Sequence, residues 1–304
     1  MRTNGHVTAV LLLAAFAAVG CSKPFEDTET KAQQQKPGSA QAKPIAVPNA
    51  VALQDGEGTG GNASTKGAGP VSFADADAAY QAKNYGEAAR LFEEYTERRR
   101  NNAWGHFMLG LSAWKAGDAA TAEGAFEEAL RIDPNHLKSL VNLSRVLIDQ
   151  HRFDDALVRL THASEVDPNS VDVQRLLGRV YAGEHKTDEA VNAYRRAIVL
   201  DARDAWSMNN LGLLLLEHDR ADEALPELAR AVELRKDVPA FHNNLGMALE
   251  HTGRFKAAAA AYRHALEAEP GYAKAQQNLA RVEAVKAGPE EPFDLEQAVA
   301  TVGR

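Results

Sequence analysis

Asparagine is the side chain that most closely copies a peptide group: its amide both donates and accepts, so a row of them suits a polypeptide backbone whatever side chains that backbone carries. This chain sets such amides in register. "NNLGLLLLEHDR" begins at Asn209 and "NNLGMALEHTGR" at Asn243, 34 residues further on, and Asn142, Asn210, Asn244 and Asn278 recur at multiples of the same spacing. Other chemistry is thinly represented. None of the ten histidines stands four residues from another, and no Cys/His spacing suits a zinc site, so neither a metal nor a cofactor is expected. Nucleophilic catalysis needs a serine or cysteine beside a base in a rigid pocket, and no segment points to one. The chain is not expected to be an enzyme.

The elements that position these amides follow from the period. Blocks of 34 residues starting at Gly69 begin at Gly69, Ala103, Leu137, Val171, Ala205 and Pro239 without a gap, with a partial seventh at Ala273. A fixed period in this range marks a repeat array. The eighth column is small throughout: Ala76, Gly110, Ser144, Gly178, Gly212, Gly246 and Ala280. The twentieth is Ala88, Ala122, Ala156, Ala190, Ala224 and Ala258, and the twenty-fourth is Phe92, Phe126, Leu160, Tyr194, Leu228 and Tyr262. Small columns let two helices approach and large ones fill the space between them. Turn pairs such as Gly117-Asp118 and Gly253-Arg254 divide each block, and Asp133-Pro134-Asn135, Asp167-Pro168-Asn169 and Glu269-Pro270-Gly271 separate blocks, because proline cannot continue the preceding helix. Each block is predicted to be a helical hairpin.

This column pattern resembles the tetratricopeptide repeat, over six units spanning 69–272 and a polar capping helix over 273–287. The resemblance implies an all-α, right-handed superhelical solenoid whose first helices line a concave groove, with the second, fifth, sixth, ninth and twelfth columns meeting ligands. Carried onto this sequence, the second unit offers an apolar patch of Trp104, Phe107, Met108, Leu111 and Trp114. The third and fourth units offer the cations Lys138, Arg145, Arg175 and Arg179. These either receive an acidic or C-terminal carboxylate or pair with neighbours, as Arg175 can with Asp172. The fifth and sixth units offer Trp206, Asn209, Asn210, Leu213, Asn243, Asn244 and Met247. Asn142, Asn210, Asn244 and Asn278 share the sixth column, interrupted by Leu176 in the fourth unit. That column is similar to the asparagine ladder of the O-linked glycosylation enzyme's repeat domain, where amides hold a peptide backbone; the alternative is hydrogen bonding within the array.

The N-terminal segment "MRTNGHVTAVLLLAAFAAVGC" has one cation, Arg2, and an apolar run from Val7 to Val19, too short to span a bilayer. It reads as an export signal over 1–20. Its end resembles the lipobox of bacterial lipoproteins, which implies that Cys21, the one cysteine, is lipidated and that the protein is an outer-membrane lipoprotein facing the periplasm. Residues 21–68 are rich in Pro, Gly, Gln, Ala, Ser and Thr, without an apolar period, and read as a disordered tether. After the cap, the tail 288–304 carries Phe293, Leu295, Val299 and Val302 at spacings that suit a short amphipathic helix.

The formal net charge of −8 argues against nucleic acid as a partner. The expected partner is a protein or peptide, with membrane contact only through the lipid. The sequence therefore reads as a lipid-anchored scaffold. Narrower alternatives are a pilotin-like factor for assembly of type IV pilus secretins and an adaptor that recruits cell-wall hydrolases.

Overall fold

The computed structural model describes residues 69–285 and 292–300. The signal segment 1–20, Cys21, the tether up to residue 68 and parts of the tail lie outside the described residues. Fourteen helices and no strand occur among the described residues. They are α1 (Phe73–Gln81), α2 (Tyr85–Arg98), α3 (Ala103–Ala116), α4 (Ala119–Ile132), α5 (Leu137–Asp149), α6 (Phe153–Val166) and α7 (Val171–Gly183). The series continues with α8 (Thr187–Leu200), α9 (Ala205–Glu217), α10 (Ala221–Leu234), α11 (Pro239–His251), α12 (Phe255–Ala268), α13 (Ala273–Glu283) and α14 (Leu295–Val299). Six antiparallel hairpins, α1–α2 to α11–α12, stack in chain order, and α13 closes the last.

The repeated columns meet within each hairpin. A Cβ added to Gly110 would lie 2.7 Å from the Phe126 ring, and one added to Gly178 or Gly246 would lie 2.5 Å from Tyr194 or Tyr262. The eighth column is thus small because the twenty-fourth occupies its space. Both seams are dry: the twentieth-column alanines and all six twenty-fourth-column side chains are 0% exposed.

The turn inside each hairpin is also uniform. Gly117 and Gly253 take positive φ of 89° and 76°, and the equivalent Lys83, His151, His185 and Asp219 take φ of 57–61°. Four of the six units therefore hold a left-handed residue without glycine. At the three corners between units two and five the shared feature is an aspartate rather than proline. The Oδ1 atoms of Asp133, Asp167 and Asp201 accept from the backbone N–H two residues on at 3.1, 3.0 and 2.9 Å. That bond keeps the corner at Ala202, where the proline is missing. Pro239 begins α11, where its lack of an N–H leaves no helical bond unmade.

The first unit departs from the others with compensation. Asp75, in the column that elsewhere carries leucine, is exposed and closes a capping box with Ser72, its carboxylate held below its ordinary pKa by those Ser72 hydrogen bonds. Tyr95 replaces an alanine, and its ring lies where a side chain at residue 105 would be, which glycine there leaves open. Its hydroxyl accepts from Asn102 Nδ2 at 3.0 Å.

Consecutive first helices (α3, α5, α7, α9, α11, α13) touch one another, whereas each second helix packs chiefly between the first helices of its own and the next unit. The first helices therefore line the inside of the curve. The short α14 packs on α10, in the layer of second helices.

Candidate functional site

Five amides form one line across α9, α11 and α13. Asn278 Nδ2 donates to Asn243 Oδ1 at 2.9 Å, and Asn244 Nδ2 donates to Asn209 Oδ1 at 2.9 Å. Longer bonds join neighbours on one helix: Asn243 Nδ2 to Asn244 Oδ1 at 3.3 Å and Asn209 Nδ2 to Asn210 Oδ1 at 3.4 Å. The strong links span 35 residues, one more than the period, because the sixth column of each unit reaches back to the fifth column of the unit before. Asn209 and Asn243 are each 3% exposed, while Asn210, Asn244 and Asn278 are half-buried.

An amide has two N–H groups and two lone pairs, so one of each remains on Asn244 after these bonds. Among the described residues, Asn210 ends the line with both N–H groups unspent, and Asn278 begins it with its carbonyl unspent. The line thus bonds within the array and still presents donors and acceptors inward. Asn142 stands apart. Its Nδ2 bonds to Lys138 O of its own helix at 2.7 Å, and the buried Leu176 lies between it and the line.

The arginines of the cationic stretch are held inside the array. Arg175 Nη1 lies 2.7 Å from Asp204 Oδ1, and its Nη2 pairs with Asp172. Arg145 reaches Asp172 at 3.3 Å across the α5–α7 seam, and Arg179 reaches Asp149 at 3.3 Å. Ser207 Oγ donates to Asp204 Oδ2. Arg175, Arg179 and Asp204 are 7%, 6% and 6% exposed. Three arginines therefore meet three aspartates, tying units three, four and five together at their first helices. Asp149, Asp204 and Ser207 were not among the residues singled out by sequence. Their signal was present, since Asp149 stands 30 residues before Arg179 and Asp204 stands 29 after Arg175.

Lys138 Nζ sits 4.8 Å from the centre of the Trp104 ring. This places it with the apolar patch on α3. Trp104 is 41% exposed and lies 5.0 Å from Phe107, with His136 at 5.9 and 5.3 Å from the two rings. Burial pushes the His136 pKa below its ordinary value. Phe107 and Met108 are buried beneath, and Leu111 and Trp114 are half-buried. Trp206, half-buried, packs edge-on to Phe241 of the next unit at 4.9 Å, so its role in the array is inter-unit packing. Leu213 and Met247 are half-buried near the amide line, with Met247 Sδ accepting from Asn243 Nδ2 at 3.6 Å.

The inner surface therefore changes along its length: an aromatic shelf with one cation, a neutralised charged stretch, then a row of amides. No group of three or more His, Cys, Asp or Glu side chains gathers as a metal site among the described residues.

Two family models, each described as tetratricopeptide repeat, match residues 113–180 and residues 73–136 and 209–273, together more than half the chain. No curated protein matches it. Among solved structures, the chain is similar to TTC0263, a thermophilic repeat protein of Thermus thermophilus, with TM-score 0.52 and 22% identity over 60% of this chain and 100% of that one. It is also similar to the APC/C hetero-tetramer Cut9–Hcn1, with TM-score 0.61 and 17% identity over 68% of this chain and 41% of that one. Yeast Tom70 matches with TM-score 0.54 and 17% identity, over 65% and 42% of the two chains. The chain thus spans less than half the length of the last two, and all three likenesses concern the fold.

Proposed function

Because the chain belongs to the tetratricopeptide repeat family, whose arrays bind proteins and peptides, we propose that it is a non-catalytic scaffold holding an extended segment of a partner in its concave groove. The amide line carries this reading. Asn210, Asn244 and Asn278 are fixed by hydrogen bonds to neighbouring amides yet half-open inward. Fixed amides lose little entropy on binding, and they match a peptide backbone independently of its sequence. The Trp104 shelf, on α3 further along the same inner surface, suits an apolar or aromatic side chain of that segment. The arginine cluster is a structural tie, because its buried charges already have partners of opposite sign.

The cellular setting is the lipobox reading of Cys21: a lipid anchor and a tether of about 48 residues, reaching about 35–40 Å, would hold the groove near an outer membrane on its periplasmic side. The partner's identity separates a general envelope scaffold from a secretin pilotin or a hydrolase adaptor. The test is a paired pull-down from solubilised envelopes with the non-lipidated protein and with an Asn210→Ala/Asn278→Ala variant, both checked for helix by circular dichroism. A partner held by the first and lost by the folded second supports the reading. Equal retention contradicts it.

A further inference from the structure

The outer side of the last two units carries a second groove, and the chain's own tail lies in it. A cavity of about 950 Å³ opens between α10 and α12, floored by Leu245 and Leu249 of α11 and covered by Pro292, Phe293 and Leu295. Ala298 and Val299 of α14 pack on the same apolar cluster. The tail covers this space without filling it.

The groove follows from a difference between α12 and the two second helices before it, α8 and α10. On its outward face it carries Ala257, Ala260 and Ala268. The matching positions hold Glu223, Pro226 and Leu234 on α10, and Glu189, Asn192 and Leu200 on α8. Losing bulk at all three positions, and a carboxylate at the first, leaves an apolar trench in this unit. Its rim includes Lys236 and Lys256, and the rim carboxylate Glu267 is bound to His264 at 2.9 Å. The tail brings the opposite character: "EEPFDLEQAV" alternates Phe293 and Leu295 with Asp294 and Glu296, and both acids are exposed.

We propose that this trench is a second docking site, for an acidic amphipathic segment of a partner protein, and that residues 292–299 are its intramolecular competitor. The seated tail shows the shape and charge of what fits: aromatic and aliphatic side chains two residues apart, one acid between them and one after, and small aliphatics one turn on. A segment tethered by a short linker competes at an effective concentration on the order of millimolar, so it blocks weak ligands and yields to stronger ones. This site is independent of the inner amide line, which faces the other side of the array.

The test uses the full chain and a fluorescent synthetic peptide spanning Glu290–Arg304, read by anisotropy. In a Phe293→Asp/Leu295→Asp variant the tail is unseated and the peptide binds about tenfold more tightly than to the unaltered protein. Adding Ala260→Arg, at an exposed position on the trench wall, abolishes that binding while helix content stays the same. Equal binding to the unaltered and unseated proteins overturns the proposal, as does binding that survives Ala260→Arg or no binding to either. Concentration-dependent dimerisation of the unaltered protein, lost in the unseated variant, also overturns it, because the trench would then serve tail exchange between copies.

Discussion

Arg175→Met is the substitution that best separates a strut from a ligand residue. The Arg175 and Asp204 side chains are 9% and 4% exposed and 2.7 Å apart, so methionine fills much of the arginine's volume but leaves the Asp204 carboxylate buried with only Ser207 beside it. Breaking a buried pair from one side costs about 3–5 kcal/mol. Asp172→Asn should cost about 1 kcal/mol or less, because Asp172 is half-exposed and Arg175 keeps its deeper partner. Arg175→Met/Asp204→Leu should recover most of the loss, since an apolar pair of similar volume is close to neutral in such places. Urea unfolding followed by far-ultraviolet circular dichroism gives all three values. The Arg175→Met transition should broaden as well, because the weakened seam lies between units four and five of a quasi-linear array. A loss below about 1 kcal/mol for Arg175→Met, with no recovery in the double variant, would refute the inter-unit role and return Arg175 to the ligand-binding candidates.

His185→Gly and Lys83→Gly, which relieve a left-handed backbone at φ of 60° and 61°, should each raise stability by about 0.5–1 kcal/mol, seen as a higher urea midpoint. Gly246→Ala sets a methyl 2.5 Å from the Tyr262 ring and should lower stability by about 1–3 kcal/mol, read in the same experiment. Stability should fall with acid below the ordinary histidine pKa of 6.5. Burial lowers the folded pKa of His136 and His242, so the unfolded chain binds more protons as pH falls through that value. Midpoints measured between about pH 7.5 and 5 check the sign, and His242→Asn should flatten the slope.

The array was legible because its columns are packing constraints. Gly110, Gly178, Gly212 and Gly246 stand opposite large side chains in the same hairpin, so the period in the sequence is the period of the contacts. The corners were less legible. Proline marks three of them, yet Asp201 makes the same turn beside Ala202, because the side-chain bond to the following backbone fixes it. At the inner surface the residue types could be placed on a helix face but their pairing could not. Arg145, Arg175 and Arg179 share a stretch of groove with Lys138, and only the approach of neighbouring units shows that three of the four meet aspartates from other helices. In the sequence the amides stand in two columns, the fifth and the sixth, and nothing there shows that the bonds run diagonally from the sixth column of one unit to the fifth of the unit before. That step depends on the offset between units, which a period of 34 does not encode.

The most direct test of the central claim is photocrosslinking from two positions in envelope preparations. Benzoylphenylalanine replaces Leu213, half-buried beside the amide line on the inner helix α9, or Val199, 75% exposed on the outer helix α8. The account predicts a discrete partner adduct from position 213 that disappears with Asn210→Ala/Asn278→Ala, and none from position 199. An adduct from position 199 alone, or one from 213 that survives the asparagine substitutions, would contradict it.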